Sequence, residues 1–267
     1  MAINFLDPES TTVLNGILRG STSAASPVLN NIITSKDVSG IEVRMLPPFI
    51  KDNHTERIWP FPGLAQMYCL TIVVSDVTNQ LAGAIDLKGF PRMGDNEFLP
   101  MNKTIFYWQS ENDTDKGPSQ IHVFCSIIKS KKSLRDVAKV LGEMKDDDGY
   151  KGLIGSLSSL TKTAAQFNVV TDIILELAGV VGKYLGNVED KPIGTVINSY
   201  TTLHGDFDNA GISPLLYNTP DTDFKFEVVV RNKAILQALA KGQPAGAIAE
   251  LRIDNNGDEV NVDMTPL

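Results

Sequence analysis

The chain has 267 residues, 42% hydrophobic and 21% charged, with 21 Gly and 14 Pro. These are the fractions of a globular protein, not of a disordered or fibrous one, and the length gives interior enough to need no covalent staples. The 24 Lys and Arg stand against 32 Asp and Glu, a net charge of -8, and that excess of acid argues against wrapping nucleic acid, which needs a basic footprint.

Residues 1–40 mix short apolar runs with Ser, Thr, Asn and Gly. They read as an irregular N-terminal arm with one helical turn near 12–18, because no period is sustained. From Ile41 the period becomes two: Ile41, Val43 and Met45 alternate with polar residues until Pro47-Pro48 stops the strand. Trp59-Pro60-Phe61-Pro62 is held extended by its prolines and presents two aromatic rings. The run 67–75 is β-branched and continuously apolar, the strongest strand signal in the chain, and 81–88 reads as the next strand. Strand-favouring residues fill 103–109, and 121–128 places Ile121, Val123, Cys125 and Ile127 on one face.

The pattern then changes. Leu134, Val137, Ala138, Leu141 and Met144 fall at helical spacing within 133–144, and a second helical region covers 157–185 with Asp172, Glu176 and Lys183 opposite its apolar stripe. Strand character returns at 192–203 and 224–231. Asn232 can cap a short helix ending before Gly242, and Asn255-Asn256-Gly257-Asp258 reads as the turn of a terminal hairpin. About nine strands predict an antiparallel β-sandwich over 41–267 with a helical insertion at about 131–187 packed on one face or end.

The stretch LTIVVSDVTNQLAGAIDLKGFPRMGDNEFLPMNKTIFYW resembles the first strands of C2 domains, where an apolar strand leads to a loop, an Asp and a Gly, then a Lys-Thr pair. EDKPIGTVINSYTTL resembles that family's acidic loop and strand, through Asp190, Ile193 and Gly194, and FKFEVVVR would be the closing strand. The resemblance covers about half of the chain. It implies a similar sandwich, and calcium-dependent lipid binding through Asp86, Asp95, Glu189 and Asp190. The chain departs from the family in its length, its two inserted helices and its lack of an Asp-x-Asp pair in that loop.

Calcium prefers several hard oxygens, so Asp113-x-Asp115, Asp206-x-Asp208 and Asp221-x-Asp223 have the local spacing for it. As solvated turn residues they need no ion. The run from Asp206 fails as an EF-hand because Tyr217 stands where the bidentate Glu belongs. His54, His122 and His204 show no zinc spacing. His204 beside Asp206 is the one candidate base, and no motif positions a nucleophile for it. Cys69 and Cys125 sit in apolar runs and read as reduced, buried thiols. Lys129, Lys131, Lys132, Arg135 and Lys139 form the basic cluster, a contact for anionic lipid or an acidic partner, or a solvated helix face. Trp59 and Phe61 are anchors for a partner, or a plug for one end of the sandwich.

The N-terminus shows no ordinary secretory signal, which predicts a cytoplasmic protein unless a non-classical route exports it. The sequence predicts a non-enzymatic binding or assembly protein acting on a protein partner or on itself. The alternative is a C2-like module that binds calcium, an anionic membrane surface, or both.

Overall fold

Apolar residues alternating or running continuously give eleven strands and three helices among the described residues. The computed structural model describes residues 12–15, 38–56, 58, 60, 63–77, 81–111, 115–130, 137–159, 167–185 and 191–232. In chain order the strands begin with β1 (Thr12–Asn15), β2 (Val38–Met45), β3 (Phe49–Ile50) and β4 (Ala65–Ser75). They continue with β5 (Ala82–Met93), β6 (Glu97–Phe98), β7 (Lys103–Gln109) and β8 (Gln120–Ser130). Helices α1 (Val137–Asp146), α2 (Asp148–Ser159) and α3 (Phe167–Leu185) follow, then β9 (Lys191–Thr201), a 3₁₀ turn (Thr202–His204), β10 (Gly211–Asn218) and β11 (Thr222–Asn232).

The strands form two sheets. The inner sheet has the order β1-β9-β8-β4-β5; in the outer sheet β11 is central, with β10 on one side and β2 with β3 on the other, followed by β7 and β6. Pro47 and Pro48 supply no N–H to the ladder, so β2 and β3 are two pieces of one line along β11. Every pairing is antiparallel except that of β1 with β9, which runs parallel from Thr12↔Thr195 to Asn15↔Asn198. The helical turn expected near 12–18 is therefore corrected at 12–15, where Thr12 and Val13 are β-branched and favour a strand.

The two sheets pack through Met67, Cys69, Val123, Cys125, Val196 and Tyr200 from the inner one and Ile41, Val43, Met45, Phe224, Phe226 and Val228 from the outer. The opposite face of the inner sheet carries Tyr68, Leu70, Ile72, Val74, Phe124 and Ile197 under Val140, Val170, Ile174, Leu177 and Val181 of the helices. The order of layers is outer sheet, inner sheet, helices. That explains why β4 reads as a continuous apolar run: both of its faces are covered.

At Gly194 of β9 the sheets approach so closely that a Cβ would stand 1.9 Å from the Thr222 hydroxyl oxygen of β11. The second helical region is two helices rather than one. α2 starts nine residues before the expected 157, capped by Asp147, whose carboxylate accepts from the Gly149 and Tyr150 amides. The same carboxylate binds Lys183 Nζ and Tyr184 Oη of α3, and the Lys183 hydrogen bond first, then that of Tyr184, lowers its pKa. The short helix expected after Asn232 and the terminal hairpin lie outside the described residues.

Candidate binding rim

One end of the outer sheet gathers charged and aromatic side chains from segments far apart in sequence. Residues 51–56 leave β3 and fold against the β10–β11 turn. That turn is tied by Thr219: its amide donates to the Thr222 carbonyl at 2.8 Å, and its hydroxyl accepts from the Thr222 amide at 3.0 Å. Lys51 Nζ reaches both the Thr219 carbonyl (2.7 Å) and Asp223 (2.6 Å), while its amide donates to the Asp221 carbonyl.

The loop itself is held by side chain to backbone bonds. Asn53 is fully buried; its amide group donates to the Gly63 and Met93 carbonyls, its Oδ1 accepts from the Thr55 amide, and its own N–H donates to Asp95. Gly63 permits this, since a Cβ there would come within 2.3 Å of the Thr55 carbonyl oxygen. His54 takes φ 53°, in the left-handed region that non-glycine residues use uncommonly and histidine more than most. Asp52 Oδ1 accepts from its amide at 2.7 Å, and Lys129 Nζ donates to its carbonyl at 2.6 Å.

Held this way, the His54 imidazole pairs through Nε2 with Asp221 Oδ2 at 2.8 Å. One ligand atom from each of Asp52, His54 and Asp221 lies within 4.8 Å of the others, so these three could hold a metal ion. Two carboxylates and an imidazole suit zinc or a similar transition metal; calcium prefers an all-oxygen set. Beside them the Phe49 and Phe98 rings stand 4.9 Å apart, Phe49 being the register partner of Asp223 and Phe98 remaining 64% exposed.

The sequence-predicted residues are distributed differently. Asp86 lies inside β5, not in a loop, and pairs with Lys103 of β7 at 2.7 Å across the edge of the sandwich. Asp95 belongs to the rim, where it supports Asn53. Lys129 is turned onto the His54 carbonyl. Glu189, Asp190, Trp59, Phe61, Lys131, Lys132 and Arg135 lie outside the described residues. His204 Nδ1 is 3.9 Å from Asp206, which also accepts from the Thr201 amide. His122 faces the helical layer, bonded to Ser199 and Gln120, and burial pulls its pKa down to about 4 against the opposing pull of Asp76.

Sequence reasoning passed over the pairing of His54 with Asp221. The only local signal was Asp52-Asn53-His54, three residues that readily enter turns. No protein-family model and no curated protein matches the chain. Among the described residues no helix is long and apolar enough to cross a membrane.

Proposed function

We propose that the protein is a non-enzymatic binding or assembly module, and that it recognises a protein partner through the outward face of the outer sheet and its rim. One observation carries this reading. Phe98 (64% exposed), Leu216 (61%), Tyr107 (57%) and Ile212 (39%) all project from that sheet on the side away from the core. Exposed aromatic and aliphatic groups on one face, set around charged side chains of β2 and β11, suit a recognition surface. The reading is tested with Phe98→Asp combined with Leu216→Asp, by light scattering over a concentration series and by affinity capture. The wild-type chain should gain mass or retain a protein that the variant loses. Identical behaviour of the two in both assays would defeat the reading.

A second reading rests on the 4.8 Å grouping of Asp52, His54 and Asp221. A cation there would lock 51–56 onto the β10–β11 turn and stiffen the rim. Its test is thermal denaturation with zinc and with calcium: an ion that binds only the folded state raises Tm, and His54→Ala with Asp221→Asn should abolish the rise.

A further inference from the structure

Three sulfur atoms meet between the sheets. Cys125 of β8 lies with its Sγ 3.4 Å from Met45 Sδ of β2 and 3.8 Å from Cys69 Sγ of β4, and all three residues are fully buried. The register does not favour a disulfide. Thr71 stands opposite Cys125, and Ile127 opposite Cys69, so the cysteines are diagonal neighbours. Diagonal positions are about 7–8 Å apart, beyond the span a disulfide bridges comfortably. Three more methionines, Met67, Met93 and Met101, belong to the same core.

We propose that Cys69, Cys125 and Met45 form a binding site for a soft monovalent metal ion, cuprous copper being the physiological case. Thiolate and thioether ligands together select Cu(I), whereas zinc and the hard cations prefer nitrogen and oxygen. An ion bonding three sulfurs at about 2.3 Å in a trigonal plane separates them by about 4 Å. The two pairs that Cys125 makes, at 3.4 and 3.8 Å, stand closer than this, so seating the ion requires the Cys125 side chain to move away from Met45 and Cys69. On binding, the two S–H bonds break, both protons leave to solvent, and two S–Cu bonds form. The Met45 thioether donates a lone pair and nothing is oxidised or reduced. Without the ion the Cys125 thiol stays protonated, since burial pushes it up. The Thr71 hydroxyl, itself buried and making no other hydrogen bond, lies beside Cys125 and opposes that shift.

A groove of about 430 Å³ opens at the sandwich edge between β5 and β7, lined by Asp86, Lys88, Met101 and Lys103 among others. Asp86 and Lys88 are the register partners of Thr71 and Cys69, so Cys69 lies one strand inward from its wall and Cys125 two strands inward. Met101 is at once part of that wall and part of the sulfur-rich core, a soft side chain at the edge nearest Cys69.

The experiment uses the full-length reduced chain, titrated anaerobically with cuprous ion, and refolded with it in parallel, against a chromophoric Cu(I) chelator. One equivalent should be retained, X-ray absorption should show sulfur neighbours only, and Tm should rise. Cys125→Ser should weaken retention roughly a hundredfold or more, and Thr71→Val by roughly 10–100-fold with Thr71→Ser restoring it, as expected of a group that supports a ligand. Met45→Leu conserves volume and keeps the fold while removing the thioether. A cooperative melt of each ion-free variant separates loss of the site from loss of the fold. His54→Ala should retain the ion, which separates this site from the rim. No retained copper, retention indifferent to Cys125→Ser and Met45→Leu, or a disulfide in the purified chain would each overturn the proposal.

Discussion

The outward faces of the two sheets obey the same alternation but carry different side chains, and among the described residues only the outer one exposes large apolar groups at its margins. On the inner sheet, Leu70, Ile72, Val74 and Phe124 point outward and are buried under α3 and its neighbours. On the outer sheet the outward positions hold Glu42, Arg44, Glu227, Lys225 and Arg231, with exposed apolar groups toward the margins. Polar groups are handled accordingly. Under the helices they are few and paired locally, as in Ser126 with Thr195 and His122 with Ser199. On the outer sheet Glu42 binds Arg44, Arg231 and Thr104 at once. The helices are thus a third structural layer rather than decoration, because the inner sheet would present a largely apolar surface without them.

The largest expected effect breaks that layer. Phe124→Ala removes a fully buried ring between the inner sheet and the helices and should cost about 3–5 kcal/mol in chemical denaturation. A loss below about 1 kcal/mol would mean that the helices do not bear on the sheet.

Acid should sharpen the contrast between the same two faces. His122 has a folded pKa of about 4 against an ordinary 6.5. The unfolded chain therefore takes up a proton first, and stability present above pH 6.5 is lost as pH falls toward 4, by about 3 kcal/mol. Burial raises Glu42, but hydrogen bonds from Arg44, Thr104 and Arg231 outweigh it and hold the carboxyl at about 2 against 4.5. Its contribution, again about 3 kcal/mol, is present above 4.5 and lost as pH falls toward 2. Denaturation midpoints across pH should show two successive losses. His122→Gln should flatten the upper one and Glu42→Gln the lower; a variant that lowers stability equally at every pH would contradict the assignment.

The close approach of the sheets gives a smaller effect. Gly194→Ala must push Thr222 aside, which should cost about 1–3 kcal/mol, while Thr222→Ala in the same chain should recover much of it. Additive losses would place the strain elsewhere.

How legible these features were depended on length and on sequence distance. The long strands announced themselves at 67–75, 103–109, 121–128 and 224–231, and the first helix at 133–144, because each carries a sustained period. β3 and β6 have two residues each, too few for any period. β10 escapes the sequence because Pro214 and the acidic turn before it argue against a strand, yet a proline is tolerated on an edge, and among the described residues β10 pairs with β11 alone. Pro91 in β5, also at an edge, is tolerated for the same reason. The rim was the least legible part. His54 and Asp221 are separated by more than half the chain, and only the pairing of β3 with β11 brings them within 2.8 Å. The cysteines were read correctly as buried thiols, but alternation could not show that Met45 of the other sheet closes on Cys125.

The smallest expected stability effect carries the most functional weight. Leu216 points outward from an edge strand and is 61% exposed, so Leu216→Asp should leave stability within about 0.5 kcal/mol of wild type. Phe124 and Leu216 are both large apolar groups projecting from a β-strand, and the contrast lies only in what covers them. If Leu216 is a recognition group, its cover is a partner, and the aspartate should abolish retention of that partner while the melting curve stays in place. A marked loss of stability would instead mean that the chain itself shields this side chain, and the outer sheet would then resemble the inner one.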